Sequence, residues 1–154
     1  MELIWIGPTK PTSIFELVED YRKRIQHWVP LKIKEIKPVK GIQVGTKLII
    51  EEEKLLKKCL EGGEHYLILL DENGKSFDSQ QFAKWLDGHL SQTRGNLTFI
   101  IGGAFGFSAA MRKEAHEVIS LSPMTLSHQL IRLVFMEQLY RGLSIIHHQP
   151  YHND

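Results

Sequence analysis

The sequence predicts an α/β protein with a single domain, whose mainly parallel sheet is covered by helices on both faces. Short apolar runs alternate, from the N-terminus onward, with longer segments whose apolar residues recur at helical spacing. Residues 66–70 and 97–101 are apolar almost throughout, as strands buried on both faces must be. With 154 residues, 42% of them hydrophobic and 24% charged, the chain has the size and composition of one globular domain. Alternation of strands and helices in this way is typical of a parallel sheet.

The first strand, the first helix and the second strand each have a separate signal. Residues 3–6 are an apolar run ended by a Gly-Pro pair, which indicates a buried strand. Ser13 and Glu16 have the spacing of a capping box, so a helix is predicted to begin there and to run to about Trp28. Residues 31–36 alternate apolar and polar side chains and therefore predict a half-exposed strand.

In the middle of the chain, a helix, a strand and a second helix are predicted. Apolar residues at helical spacing indicate a helix over residues 46–60, which the following Gly-Gly pair ends. Residues 66–70 form the most apolar strand, and the Asp-Glu-Asn-Gly segment 71–74 is predicted to turn the chain. Either Asp78 or Ser79 is expected to cap the next helix.

The last third is predicted to contain two strands, over residues 97–101 and 118–121, and two helices, over residues 108–116 and 125–142. Apolar side chains surround most of the circumference of the last helix, whereas a surface helix would show one apolar stripe. Two explanations fit this pattern equally well. The helix lies either at the centre of the domain's core or under a second subunit.

Three predicted strand ends, at Leu70, Gly102 and Leu121, indicate a ligand site, because parallel sheets bind ligands outside the carboxyl ends of their strands. The loop over residues 121–126 carries no charge and contains a proline. It offers main-chain hydrogen-bonding groups and an apolar slot, which suit a flat heterocycle. The glycine-rich segment that begins at Gly102 lacks the lysine of a Walker loop. It also follows the fourth predicted strand, whereas a Rossmann fingerprint follows the first. Taken alone, that segment also fits a simple tight turn.

Composition and charge exclude several classes of protein. The net charge is +1, although residues 1–50 carry nine basic and five acidic side chains, a local excess of +4 that suits a polyanion. No apolar run reaches the roughly 20 residues that a membrane helix needs, and no signal peptide is recognised at the N-terminus. Cys59 is the one cysteine, which argues against a disulfide framework and a Cys-based zinc site. We therefore expect a cytoplasmic protein with no membrane partner and no metal.

Titratable rings crowd the C-terminal region, at His128, His147, His148, Tyr151 and His152. No metal-ligand spacing such as H-x-x-x-H or H-E-x-x-H accompanies them. Histidine titrates near neutrality and tyrosine can stack on a base, so the tail is interpreted as a recognition or proton-handling element. A frayed terminus without a function is the alternative.

Several short motifs, in order along the chain, resemble those of the RlmH (YbeA) family, small SPOUT-class methyltransferases that act on a pseudouridine of large-subunit (23S) ribosomal RNA. The resemblance covers essentially the whole chain. The motifs that carry it are Leu69-Leu70-Asp71, Ile101-Gly102-Gly103-x-x-Gly106, Leu121-Ser122-x-Met124-Thr125, His128-Gln129-Leu130-x-Arg132, Glu137-Gln138-Leu139-Tyr140-Arg141 and Pro150-Tyr151-His152. Each motif is weak alone, but the combination in this order is specific.

The resemblance implies one SPOUT methyltransferase domain over residues 1–154, with a C-terminal trefoil (α/β) knot over about residues 97–154. It also implies a homodimer packed through the knot, with Phe135 as a candidate interface residue. The implied cofactor is S-adenosyl-L-methionine, held in a bent form. By the family pattern, the cofactor-binding residues are Leu70, Gly102, Leu121, Ser122, Pro123, Met124, Thr125 and Leu126.

The reaction that the resemblance implies is transfer of a methyl group to N3 of the pseudouridine, with the assembled ribosome as the expected substrate. The predicted catalytic residues are His128, Arg141, Tyr151 and His152. One of the two histidines would accept the imide proton and Arg141 would stabilise the resulting anion, unless Arg141 instead forms an i,i+4 ion pair with Glu137. Two other functions stay open at this point: a non-catalytic ribosomal-RNA-binding protein and a Rossmann-like oxidoreductase.

Overall fold

The computed structural model describes residues 1–42 and 45–151, in which five strands and five helices alternate. The strands are β1 (Glu2–Ile6), β2 (Lys32–Ile36), β3 (His65–Ser76), β4 (Asn96–Ile101) and β5 (Glu117–Ser120). The helices are α1 (Thr12–Ile25), α2 (Thr46–Leu60), α3 (Ser79–Gln92), α4 (Ala109–Glu114) and α5 (Leu130–Ile146). All strands pair in parallel, in the order β2-β1-β4-β3-β5. The predicted α/β class with a parallel sheet is confirmed.

Both faces of the sheet are buried, because its central strands carry apolar side chains on both sides. In β1, Leu3 and Trp5 pack in one core, whereas Ile4 and Ile6 pack in the other. The first core contains residues of α1, α3 and α5, and the second contains residues of α2 and α4. Helices therefore cover both faces, as the continuous apolar runs predicted.

Helix α5 lies at the centre of the first core, where it packs against both α1 and α3. Phe135 is fully buried, with its ring centroid 4.8 Å from that of Phe99 on β4. Gly142 allows a close approach to α3, since a Cβ at this position would lie 3.2 Å from the ring of Phe82. The buried face of α5 is thus explained within one subunit, and the expectation that Phe135 is an interface residue is wrong.

Two predicted helix starts differ from the structure. Helix α1 begins at Thr12 after Pro11, and no side chain caps it, so the predicted capping box of Ser13 does not form. The ring of Pro11 fixes a φ that suits a helix start, which puts Ser13 inside the first turn. Helix α5 begins at Leu130 and not at residue 125, because the Ser127 hydroxyl accepts the Leu130 backbone N–H (3.2 Å) and starts the turn there.

Residues 71–74 are a bulge within β3 and not the turn that the sequence predicted. The ladder between β3 and β5 is interrupted after Leu70↔Ile119 and resumes at Lys75↔Ile119. Gly74 fits this bulge because a Cβ there would lie 2.6 Å from the carbonyl carbon of Ile119. The bulge is a product of pairing with a distant strand, which local turn propensity cannot report. After it, Asp78 caps α3 as predicted.

Candidate active site

A cavity of about 490 Å³ opens at the carboxyl ends of β3, β4 and β5, where the sequence predicted a ligand site. Its walls are the bulge after Leu70, the glycine-rich loop after β4 and the segment that follows β5. The predicted cofactor-binding residues that line it are Leu70, Gly102, Leu121, Ser122, Met124, Thr125 and Leu126. Pro123 is exposed and does not line it. A cavity of this size suits one small organic ligand.

The loop after β4 folds back on itself in a way that requires its glycines. The backbone N–H of Gly106 donates to the Gly103 carbonyl oxygen at 3.1 Å, and Gly106 adopts a φ of +68°. A Cβ on Gly102 would lie 3.1 Å from the Phe107 ring and 3.2 Å from the Gly106 carbonyl oxygen, and a Cβ on Gly103 would collide with the carboxylate of Glu52. The segment is therefore a tight turn that also leaves main chain uncovered at the cavity wall.

Hydrogen bonds within and across the cavity shape the segment after β5. The Ser120 hydroxyl donates to the Ser122 carbonyl oxygen (2.9 Å), and the Ser122 hydroxyl accepts the Met124 backbone N–H (3.0 Å). The Thr125 hydroxyl donates to Glu72 Oε2 at 2.6 Å. Because Glu72 belongs to the β3 bulge, this last bond joins two walls of the cavity.

The bulge also brings an ion pair to the cavity that sequence patterns did not predict. Arg112 donates from Nε (3.0 Å) and Nη2 (2.7 Å) to Asp71 Oδ2, and the backbone and side-chain N–H groups of Asn73 donate to Oδ1 (3.0 and 3.1 Å). Burial raises the pKa of Asp71, but the hydrogen bonds from Asn73 and Arg112 outweigh it, so the pKa is lowered. Both carboxylate oxygens are occupied, and the negative charge is neutralised.

His128 lies exposed at the rim of the same cavity. Partial burial of its ring lowers the pKa of His128, and the nearby cation of Arg132 lowers it further. Arg132 is itself buried: Nη2 donates to the Ile6 carbonyl oxygen (2.6 Å) and Nη1 to the Thr9 hydroxyl (3.2 Å), and burial lowers its pKa to about 10. His128 is therefore neutral at pH 7 and able to accept a proton.

The other predicted catalytic residues form a second cluster near the C-terminal end of α5. Arg141 makes an ion pair with Glu137 one turn earlier, and Glu137 also accepts the hydroxyl of Tyr151 (3.3 Å). That hydroxyl lies 3.1 Å from the hydroxyl of Tyr21, and the Arg141 guanidinium lies 5.0 Å from the centroid of the Tyr151 ring. Burial, followed by the hydrogen bond with Tyr21, raises the pKa of Tyr151, so its hydroxyl stays protonated. His152 lies outside the described residues.

The two clusters are separated by the length of α5. At about 1.5 Å per residue, Arg141 lies roughly 16 Å along the helix axis from Leu130, where the segment that carries His128 joins the helix. Neither Arg141 nor Tyr151 lines the cavity. The structure therefore brings His128 together with the predicted cofactor-binding residues and keeps Arg141 and Tyr151 apart from them.

Two kinds of feature are absent from residues 1–42 and 45–151. No helix in these ranges is long and apolar enough to span a bilayer. No group of three or more His, Cys, Asp or Glu side chains within them is arranged to hold a metal ion.

Comparison with known protein families decides how this site is classified. The family model described as "Predicted SPOUT methyltransferase" matches residues 1–152. The chain belongs to the SPOUT methyltransferase family. This result confirms the resemblance found in the sequence motifs, and it identifies the chain as a methyltransferase.

Curated relatives are similar to this SPOUT methyltransferase over its full length. The ribosomal RNA large subunit methyltransferase H of Parabacteroides distasonis is 40% identical over 154 residues, which cover 99% of this chain and 98% of the relative. The protein of the same name from Geobacter sp. (strain M21) is 40% identical, with 100% and 99% covered. A solved structure, a probable methyltransferase from Bordetella pertussis Tohama I, has a TM-score of 0.52 at 14% identity over 92% of this chain and 93% of that one. At such low identity, this last similarity shows the fold alone.

Proposed function

We propose that this SPOUT methyltransferase transfers a methyl group from S-adenosyl-L-methionine to N3 of a pseudouridine in large-subunit (23S) ribosomal RNA. The observation that carries the proposal is the cavity at the carboxyl ends of β3, β4 and β5. Support for the RNA substrate comes from the curated relatives, which are named ribosomal RNA large subunit methyltransferases. The choice of N3 rests on the family resemblance of the motifs.

The residues that line the cavity fit an adenosine-containing cofactor. Leu70, Leu126 and Ile131 offer apolar surface to a purine ring, and Gly102 allows the main chain to approach it. The loops over residues 102–106 and 121–126 carry no charged side chain, so the contacts that they offer are mainly main-chain ones. When bound, S-adenosyl-L-methionine supplies an electrophilic methyl group on a sulfonium, and the remaining tasks fall to the protein.

The protein has to align N3 of the target base with the methyl group and to assist loss of the imide proton. As N3 forms its bond to carbon it loses its proton, and neutral His128 at the cavity rim is the proposed acceptor. Arg132, buried behind it, disfavours the protonated ring, so His128 is in its basic form when the base arrives. The proton then passes from the imidazolium to water, which restores His128 for the next cycle.

We further propose that the enzyme is a homodimer and that the second subunit completes the site. Because about 16 Å of helix separates Arg141 from the cavity of its own subunit, the Arg141 and Tyr151 that act on the base would be the partner's. Arg141 forms the i,i+4 ion pair with Glu137, so it would have to leave this pair to stabilise the anion. An outer stripe of α5 supports this arrangement, since Leu130, Val134 and Ile145 pack in neither core. Residues 1–154 would act as one domain, with the knot over about residues 97–154.

Assembly is tested by sedimentation at micromolar concentration, where we expect a dimer. Val134→Glu places a charge on the outer stripe of α5 without entering either core, and burying it at an interface is costly. This variant should be a folded monomer that binds S-adenosyl-L-methionine but does not methylate RNA. A monomeric wild-type protein with full activity would contradict the shared site.

The experiment that tests the function is mass spectrometry of ribosomal RNA after incubation of unmodified ribosomes with the protein and labelled S-adenosyl-L-methionine. We expect one labelled pseudouridine, with the methyl group on N3, and we propose that assembled ribosomes in the cytoplasm are the natural substrate. Calorimetry with S-adenosyl-L-methionine and with NADPH provides the control. Binding of the ribosome without methylation would indicate a non-catalytic RNA-binding protein, and binding of NADPH alone would indicate an oxidoreductase.

A further inference from the structure

A second, broader depression of about 1080 Å³ lies along α3 and shares no lining residue with the cavity of the proposed active site. We call it the α3 groove. Its lining residues come from both ends of β3 and the residue after it, from one face of α3 and from the turn that follows α3: Tyr66, Lys75, Ser76, Phe77, Gln81, Lys84, Trp85, Gly88, His89, Gln92, Thr93 and Arg94. Neither the family resemblance nor the names of the relatives assign a role to it.

The α3 groove carries positive charge without compensating carboxylates in its lining. Lys75, Lys84 and Arg94 are exposed, and the lining contains neither Asp nor Glu. None of the three cations pairs with a carboxylate of the residues that the structure describes. Lys75 Nζ instead lies 4.8 Å from the centroid of the Phe77 ring. Such a surface is complementary to a polyanion.

Aromatic rings form a continuous row beside these cations. The ring centroids of Phe77 and Trp85 are 5.7 Å apart, those of Trp85 and His89 are 4.4 Å apart, and those of His89 and Tyr66 are 5.0 Å apart. All four rings line the groove and are partly exposed. Aromatic faces next to cations are the combination with which proteins hold single-stranded nucleic acid.

One carboxylate from β5 fixes three of these rings by their polar atoms. Glu117 Oε1 accepts the Tyr66 hydroxyl (2.9 Å) and lies 2.8 Å from His89 Nε2, and Oε2 accepts the Trp85 indole N–H (3.0 Å). Since their polar atoms are bonded to Glu117, the rings are held in place, and the exposed parts of the rings offer apolar surface to a ligand. A preorganised stacking surface costs less conformational entropy on binding than mobile rings would.

Gly88 keeps the middle of the groove open. It lies within α3, where glycine is about 1 kcal/mol less favourable than alanine, so helix stability does not account for it. A Cβ at this position would meet no atom within 4 Å. The residue therefore adds no side chain to a groove whose other α3 positions, Gln81, Lys84, Trp85, His89 and Gln92, carry long ones.

We propose that the α3 groove binds a single-stranded segment of the RNA substrate, next to the nucleotide that is methylated. The inference rests on the proposed function for the identity of the RNA. Asn73 lines the active-site cavity and Lys75 lines the groove, so the two sites adjoin at the β3 bulge, and a strand in the groove can reach the rim of the cavity. Lys84 and Arg94 would contact phosphates, and the aromatic row would stack on bases.

The test compares groove variants with matched controls in direct RNA binding and in methylation. Lys84→Gln combined with Arg94→Gln removes two groove cations, and Lys58→Gln combined with Lys113→Gln removes two exposed cations from α2 and α4, on the opposite face of the sheet. The groove variant should bind single-stranded RNA about tenfold more weakly, and the slope of log K against log salt should become shallower by about 0.7 for each phosphate that the variant no longer neutralises. The control variant should match the wild type.

A second pair of variants does not remove any existing contact. Gly88→Glu should place a carboxylate in the groove and raise KM for the RNA by about tenfold or more, with kcat and the affinity for S-adenosyl-L-methionine unchanged. Gly88→Ala is its control and should bind RNA like the wild type, because it fills little of the groove. Unfolding in urea shows that both variants are folded.

The possible outcomes separate this inference from the proposed function. If the wild type methylates RNA and the groove variants match their controls in KM and salt slope, the groove does not bind RNA, although the function stands. If the wild type binds RNA through the groove but transfers no methyl group, the groove inference stands and the proposed function fails. Loss of binding to ribosomes but not to naked RNA would show that the groove holds an acidic protein segment, and it would overturn the RNA assignment.

Discussion

For two adjacent glutamates on α2, we predict that the same substitution changes the stability of the protein in opposite directions. Glu52 and Glu53 are both almost fully buried, at 7% and 8% exposure. Glu53 accepts two hydrogen bonds from Ser108, the N-cap of α4: one from the backbone N–H (2.6 Å) and one from the hydroxyl (2.8 Å). The Glu52 carboxylate lies against Gly103 and makes no hydrogen bond or ion pair within the part of the chain that the structure describes. We therefore expect Glu52→Gln to stabilise the protein and Glu53→Gln to destabilise it.

The expected magnitudes follow from these contacts. An unpaired buried polar group costs about 1–3 kcal/mol. The Glu52 oxygens are not among the fully buried unpaired atoms of the described residues, so they keep contact with solvent, and we take at most the lower end, about 1 kcal/mol. For a chain of this length, that gain corresponds to a rise in Tm of about 2–4 °C. A hydrogen bond to a charged group contributes about 1.5–3 kcal/mol, and glutamine keeps one acceptor oxygen, so Glu53→Gln should cost about 1–2 kcal/mol.

The contribution of Glu52 to the free energy of unfolding should depend on pH in a definite direction. Burial raises the pKa of Glu52 above its ordinary value of 4.5, so the native state binds the proton more readily than the unfolded state does. The free energy of unfolding therefore falls as the pH rises through 4.5 and towards the higher native value. The advantage of Glu52→Gln should therefore be smaller in acid, where both states increasingly carry the proton, and larger at pH 7.

Urea unfolding followed by circular dichroism, at pH 7 and at pH 4 and at one protein concentration, measures both effects. A fixed concentration is necessary because assembly contributes to apparent stability. Each variant is compared with the wild type without cofactor. If Glu52→Gln lowers the midpoint at pH 7, or raises it equally at both pH values, the Glu52 carboxylate is not an unpaired buried charge and the reasoning fails.

Three other predictions concern the site. Gly102→Val should weaken S-adenosyl-L-methionine binding in calorimetry, because the valine side chain would press on the Phe107 ring and the Gly106 carbonyl. Gly102→Ala should weaken binding less, and an unchanged affinity of Gly102→Val would show that Gly102 is not part of the site. Deletion of residues 151–154 should spare cofactor binding and abolish methylation, and full activity of the truncated chain would show that the tail is not needed. In single-turnover assays, Tyr151→Phe should lower the rate less than Tyr151→Ala does. In NMR titration, the pKa of His128 should lie below the ordinary 6.5, and the single-turnover rate of methylation should fall in acid with the same pKa. If the rate of His128→Gln falls in acid in the same way, His128 is not the proton acceptor.

The elements that the sequence predicted well are those that depend on burial alone. Residues 66–70 and 97–101 were predicted as interior strands because they are apolar almost throughout, and the position of the ligand cavity followed from where such strands end. The start of α1 was predicted wrongly because two signals competed, and proline at position 11 determined the first turn before Ser13 could cap it. The β3 bulge was missed because its cause, pairing with β5, lies more than 40 residues away.

The same limit applies to the charges of the site. The charge-poor loops over residues 102–106 and 121–126 predicted a nearly neutral pocket, yet the folded chain brings Asp71 and Arg112 to its wall from positions 41 residues apart. The Asp71 charge is neutralised because these two side chains satisfy each other and Asn73 holds the second oxygen of Asp71. Glu72, whose Oε2 accepts the Thr125 hydroxyl, is the lining carboxylate that has no cation beside it among the described residues. A free carboxylate there would attract the sulfonium cation through charge, whether or not the methyl group pointed at the base. The ion pair removes that option for Asp71, and Thr125 holds one oxygen of Glu72 in place. Shape and main-chain contacts then set the direction of the methyl group.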